Sequence, residues 1–522
     1  MINKSPFDEK IAFRMEEFWA SSTSWQRGLW HLGSTAAIGE LLEASESIPE
    51  SSLRSLQADV ERLTGPDPAV GSETTRNTLR QLLKKDLVFK HANWHELNQL
   101  LSIIDRDYLK RWADVLSTPS PPGVERVARS IAGYLVHAGF SATYLHRWLQ
   151  YQVKYRPESL SIADFTEEAN RLVQIPRQRF KVLIPVISAP DITDHPPPEW
   201  LPATRVTDLI SKIQGARTDS RQNGGFLLDV SARDQYMAVD LARDLVDRWD
   251  ARAELSTGHG IQMVNQAWVQ DFKKPIILSQ QARQVHIGAL RRQNQIYSSL
   301  SQDQTSVRID DALQLVKPMR NGTRSGSLSG GWAAIECLLT DDREQESLAS
   351  PRLANIIACS FPRAELTTLA IAHRDSANDA LADELKKADG NLQLSRILAE
   401  ALSGGLHIFC RGPHDDAACD RMRQLLSDPI NTLNRVRDYS TICLNRLYRQ
   451  RNLMLHGGRV EGDGRSEALL TAAPLVGAGL DRIVHAWFAE KTPPIVLAAR
   501  AELNLQLVSS PGGRHLTELL EP

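Results

Sequence analysis

The sequence predicts a mainly α chain: a helical N-terminal region, a small α/β module in the middle and a helical C-terminal bundle. Three observations predict it. Apolar residues recur at helical spacing through both ends of the chain. Runs of β-branched residues concentrate in the middle. Segments rich in Pro, Gly and Ser, at 117–123, 189–202 and 321–331, interrupt the pattern.

Residues 1–178 read as mostly helical. Leu79, Leu82, Leu83, Leu87 and Val88 recur near helical spacing, as do Ile131, Leu135 and Val136, then Tyr144, Leu145, Trp148 and Leu149. The tryptophans of this region fit a core, because they fall on the apolar faces. Ser117-Thr118-Pro119-Ser120-Pro121-Pro122-Gly123 reads as a loop within it. The next region, 179–320, changes character. Phe180–Ile187 and Gly225–Val230 are strand candidates, and Met237, Leu241, Leu245, Val246 and Trp249 mark a helix between Gln235 and Leu255. Pro196-Pro197-Pro198 can continue neither a helix nor a central strand.

Asn321–Gly331 is rich in Gly and Ser, so it reads as a linker to a third region, 327–522. There Trp332, Ile335, Leu338 and Leu339 share a helical face. Leu469, Leu470, Ala473, Val476, Leu480, Ile483, Val484, Trp487 and Phe488 form a long stripe, in which Gly477 and Gly479 suggest a kink.

Bulk properties narrow the function classes. A chain of 522 residues has room for two or three domains, and 42% hydrophobic with 24% charged residues is ordinary for a globular protein. A net charge of −2 requires any nucleic-acid surface to be a local patch. No apolar run reaches the roughly 18–20 residues of a membrane span, and the first residues lack a signal-peptide pattern. A cytoplasmic protein without a membrane partner is expected. Five widely spaced cysteines fit reduced thiols better than a disulfide framework.

Familiar chemical motifs are missing. Gly322–Ser327 lacks the Gly-Lys-Ser/Thr ending of a phosphate-binding loop. No Gly-x-Gly-x-x-Gly follows a strand candidate. Gly326–Gly330 has Leu328 where a nucleophile elbow needs Ser. His95-Glu96 lacks the second His of a zinc-protease helix, and His407, Cys410, His414 and Cys419 do not have a usual zinc spacing. Neither a metal nor another cofactor is expected.

One segment carries chemistry: Arg451-Asn452-Leu453-Met454-Leu455-His456-Gly457-Gly458. Cleaving RNA without a metal requires a base for the 2′-hydroxyl, an acid for the leaving 5′-oxygen and a cation for the phosphate. His titrates near neutrality, and Arg offers a permanent planar fork. The preceding stretch reads as one long helix with Leu433, Val436, Leu444, Leu447 and Leu455 buried, and the Gly pair is a natural stop. A His in the last turn is favoured in its charged form by the helix dipole. Arg252 and His259 make a looser match at another expected helix exit.

Arg451, Asn452 and His456 in this context resemble the signature of HEPN-type domains: Arg, a polar residue that is often Asn, and His at the end of a long helix. The resemblance covers 327–522. It implies an antiparallel helical bundle that forms a homodimer, with the Arg and His helices of two copies meeting in a shared cleft. It further implies metal-independent endoribonuclease activity on RNA, in anti-phage defence or a toxin-like role. The first 320 residues would then act as sensor or regulator, and a phage-derived or antitoxin-like regulator could restrain the nuclease. Glu336, on the helix that resembles the first long helix of such domains, would be an acidic residue near the site. Arg446 and Arg449 would add positive charge for RNA. The competing expectation is a non-catalytic HEPN-like module for RNA binding, dimerisation or sensing, in which the helix end is capped by polar residues.

Helix geometry adds a condition. At about 100° per residue, Arg451 and His456 lie about 140° apart, whereas Asn452 and Arg449 share the face of His456. Two facing copies would supply both groups to one phosphate.

Overall fold

A computed structural model describes residues 6–28, 33–47, 50–155, 161–194, 196–214, 221–278, 285–298, 303–341, 344–457 and 464–522. The chain is mainly α, with 21 α-helices and one small antiparallel sheet among these residues. It divides into two compact units. One comprises 1–137, 152–168 and 283–522; the other comprises 138–151 and 169–282.

The N-terminal helices are α1 (Pro6–Trp19), α2 (Ser34–Ala44), α3 (Glu50–Thr64), α4 (Glu73–Leu83), α5 (Ala92–Arg106), α6 (Tyr108–Leu116) and α7 (Val124–His137). The expected loop at 117–123 joins α6 to α7. Next come α8 (Ala142–Tyr155) and α9 (Ile162–Gln174). Asp67 ties the turn before α4 into this layer by accepting from Tyr108 Oη at 2.7 Å and from the Ala69 amide at 2.9 Å.

The second unit contains the sheet. Its elements are β1 (Gln178–Ser188), β2 (Trp200–Pro202), α10 (Ala203–Gln214), β3 (Gly224–Ala232), α11 (Gln235–Thr257), β4 (Gln262–Met263), β5 (Gln266–Val269) and β6 (Ile276–Ile277). The strand order is β2-β3-β1-β5-β6, with β4 also on β1. Both expected strands and the expected helix are present. Pro185 lies inside β1, opposite Gly225 in β3. A Cβ on Gly225 would stand 2.9 Å from the Ile184 carbonyl, so glycine permits the close pairing. Asp234 caps α11 by accepting from the Tyr236 and Met237 amides, and it also accepts from the Ser141 amide at 2.7 Å.

The first unit resumes with α12 (Ala289–Arg292), α13 (Gln304–Asn321), α14 (Arg324–Leu339), α15 (Ala349–Ser376), α16 (Ala380–Lys386) and α17 (Gly390–Ser403). It closes with α18 (Pro413–Ser427), α19 (Pro429–Gly457), α20 (Gly464–Glu490) and α21 (Pro494–Leu507). Helix α15 is central and packs against α14, α17, α18, α19, α20 and α21. The apolar stripes expected on α14 and α20 lie in this core.

Three expectations are corrected here. The supposed linker at 321–331 is the turn of a tight helical hairpin formed by α13 and α14, together with the first half of α14. Its glycines allow contact rather than flexibility: a Cβ on Gly330 would lie 2.1 Å from the Leu315 carbonyl, and one on Gly331 would lie 2.6 Å from Met319 Sδ. The boundary at 327 therefore falls inside a helix, and residues of the N-terminal region share a compact unit with 283–522. Gly477 and Gly479 lie within the single helix α20, which also contains Pro474, and Gly479 makes room for Leu353, whose Cδ1 would be 2.3 Å from an added Cβ. Finally, Leu455 is 51% exposed rather than buried, while Leu433, Val436, Leu444 and Leu447 are buried as expected.

Candidate functional site at the end of helix α19

Helix α19 places Arg446, Arg449, Arg451, Asn452 and His456 on one continuous segment. Its buried stripe, Leu433, Val436, Leu444 and Leu447, anchors it in the core of the unit. The last turns carry the polar residues beyond that stripe. The backbone of His456 belongs to α19, whereas its side chain and residue Gly458 lie outside the described residues.

Arg451 is 24% exposed at its side chain, and its Nη1 stands 3.7 Å from Glu346 Oε2. The same Nη1 donates to Asn452 Oδ1 at 2.8 Å. Glu336, on α14, lies within electrostatic reach of both Arg451 and Glu346. Burial and the neighbouring Glu346 charge raise the Glu336 carboxyl above the ordinary range, and the Arg451 charge only partly offsets them. Beneath this group Trp332 of α14 and Tyr448 of α19 contact ring to ring, with centroids 4.5 Å apart. The α13–α14 hairpin thus holds Glu336 beside Arg451. Glu346 was missed in the sequence. It lies on a short 3-10 turn before α15, and no motif marks it.

Arg446 and Arg449 are placed differently. Arg446 is only 4% exposed. Its Nη2 donates to Glu467 Oε2 at 2.8 Å, and its Nε meets Glu40. Arg449 pairs with Asp59 at 3.2 Å and with Glu40 at 3.6 Å. These two arginines form a buried cage with carboxylates from α2, α3 and α20, not the expected open patch for RNA. The reason is electrostatic: removing a guanidinium from water is costly, and compensating carboxylates beside it offset that cost. His137, at the end of α7, approaches Glu467 at 3.7 Å. Burial pulls its imidazole down, but the hydrogen bond and charge of Glu467 outweigh burial, and its pKa rises above the ordinary value of 6.5.

The four residues weighed as a zinc set are not gathered. Cys410 and Cys419 face each other, while His414 stands 3.4 Å from Glu16. Among the described residues no group of three His, Cys, Asp or Glu side chains is placed to hold a metal ion. Also among them, no helix is long and apolar enough to cross a membrane. Arg252 lies within α11, which ends at Gly258 in the left-handed conformation, apart from the α19 site in sequence and in unit.

Compared with known proteins, the chain matches no family model, no curated protein and no solved structure.

Proposed function

We propose that the chain is a metal-independent endoribonuclease of HEPN type, with its site at the end of α19. The observation that supports this reading most is the meeting of Arg451, Asn452 and Glu336 from two core helices beside the last turn that carries His456. Arg451 would stabilise charge on the scissile phosphate. His456 would act as general acid or base, because its ordinary titration lies near neutrality. Asn452 fixes the Arg451 guanidinium. The RNA 2′-hydroxyl would attack phosphorus and expel the 5′-oxygen, leaving a 2′,3′-cyclic phosphate and a 5′-hydroxyl. DNA lacks that hydroxyl and would resist cleavage. The remainder of the chain would sense or regulate, in a defence or toxin-like setting.

A second reading also has support. Arg451 already faces Glu346, an arrangement that suits a structural helix end or a non-catalytic RNA-holding module. Cleavage of a mixed RNA in EDTA separates the two. The native chain is expected to cut, and Arg451→Ala and His456→Ala are each expected to lower the rate by at least 100-fold, on the order of a lost acid–base group. Native-like rates in both variants would remove the site from the reaction.

A further inference from the structure

We propose that Cys410 and Cys419 are a redox-active pair that closes to a disulfide under a peroxide oxidant. Their sulfur atoms stand 3.4 Å apart. A disulfide needs about 2.05 Å, so a small movement of one side chain completes the bond. The loop that carries Cys410 is held on both sides of it, by the Phe409 amide donating to His373 Nδ1 at 2.9 Å and the Arg411 amide donating to Asp415 Oδ2 at 3.1 Å, so rotation of the Cys410 side chain supplies the movement. The loop runs from Gly404 to Gly412 between α17 and α18 without regular structure, and Gly405 takes a left-handed φ of 75°. Cys419 sits on α18 and is buried, which makes it the fixed member. Cys410 is half-buried and is the member an oxidant reaches.

The remaining cysteines are placed differently. Cys337 donates toward the Arg308 carbonyl at 3.6 Å and Cys359 toward the Ala501 carbonyl at 3.5 Å, and Cys443 is buried. These serve as internal controls.

The chemistry balances with hydrogen peroxide as the two-electron oxidant. The Cys410 sulfur attacks one peroxide oxygen, the O–O bond breaks, and one water leaves as Cys410 becomes a sulfenic acid. The Cys419 sulfur then attacks the Cys410 sulfur and expels the hydroxyl group, which takes the Cys419 proton and leaves as the second water. Two thiols have lost two electrons and peroxide has gained them. Burial raises both thiols above the ordinary thiol range, which keeps the reacting thiolate scarce and makes closure a slow response to sustained oxidant.

The sequence makes the bond easy to read. Arg411 separates the two cysteines, so trypsin leaves them on different peptides, 397–411 and 412–421. The full chain is treated with hydrogen peroxide, blocked with iodoacetamide and digested without reductant. The expected result is loss of two of the five thiols, a cross-linked pair of those peptides and, in a sample reduced with dithiothreitol before the block, recovery of all five thiols. In Cys419→Ser, dimedone is expected to capture a sulfenic acid at Cys410. Five titratable thiols after sustained oxidation would overturn the proposal. So would a wild-type chain in which dimedone labels Cys410 and no cross-link forms, or a cross-link that joins other cysteines.

Discussion

Arg446, Arg449 and Arg451 lie within six positions of one another on α19, all beside carboxylates, and differ in how deeply they are buried. The first two neutralise Glu40, Asp59 and Glu467 in the interior; the third faces Glu346 and Glu336 where the helix emerges. His137 joins the interior set, and this has a consequence for pH. Its folded pKa lies above its unfolded one. Its protonation therefore stabilises the fold fully below pH 6.5, and that contribution is lost as pH rises through the folded value. Urea midpoints of the native chain are expected to fall over that interval, and His137→Gln is expected to flatten the fall. Parallel pH profiles for the two proteins would show that the Glu467 pairing contributes nothing to stability.

At the scale of elements, the glycines of α14 reverse an ordinary rule. Gly→Ala within a helix commonly stabilises by about 1 kcal/mol. In Gly330→Ala the new methyl group would meet the Leu315 carbonyl, 2.1 Å from the Cβ position. The variant is expected to be destabilised by about 1–3 kcal/mol, the usual cost of overpacking. A denaturant midpoint equal to or above the native one would show that α13 and α14 do not approach so closely. The same residues mark where the sequence was hard to read. Gly and Ser are enriched both in flexible linkers and at close helix contacts, and the difference lies in the partner. Here Leu315 and Met319 make the contact from the previous helix, where nothing in their own pattern announces it. The long helices α19 and α20 were legible because apolar residues recur in them over many turns, although α20 is buried on most of its faces. Strand β1 was legible from its β-branched run, whereas β4 and β6, two residues each, carry too little pattern to read.

At the scale of the whole molecule, a linear reading separates what folding joins. Asp59 lies 390 positions before Arg449, so the charge of Arg449 could be read while its destination could not. For the same reason the N-terminal helices were assigned to a region of their own. Arg451 and Asn452 were legible as one polar segment at a helix end and Glu336 as an acidic residue on an earlier helix, whereas Glu346, on a short 3-10 turn, was not. The spacing of Arg451 and His456 makes a claim about assembly. If each cleavage centre combines the Arg of one copy with the His of another, two inactive variants can complement each other. Mixing Arg451→Ala with His456→Ala protein is expected to restore RNA cleavage, because one of the two composite centres in each mixed dimer is intact. Mixed dimers verified by differential tags but as inactive as either parent would place both groups of a centre in one chain.

The carboxylate cage has a mechanical meaning as well. Turning α19 about its axis would draw Arg446 and Arg449 away from Glu40, Asp59 and Glu467 and strand charges inside the protein. Stranding one partner of a buried pair costs on the order of 3–5 kcal/mol. The cage thus works as a key in a slot: it indexes the azimuth of the helix, and the direction in which Arg451 points is registered from the far side of the rod, between about half a turn and one and a half turns away.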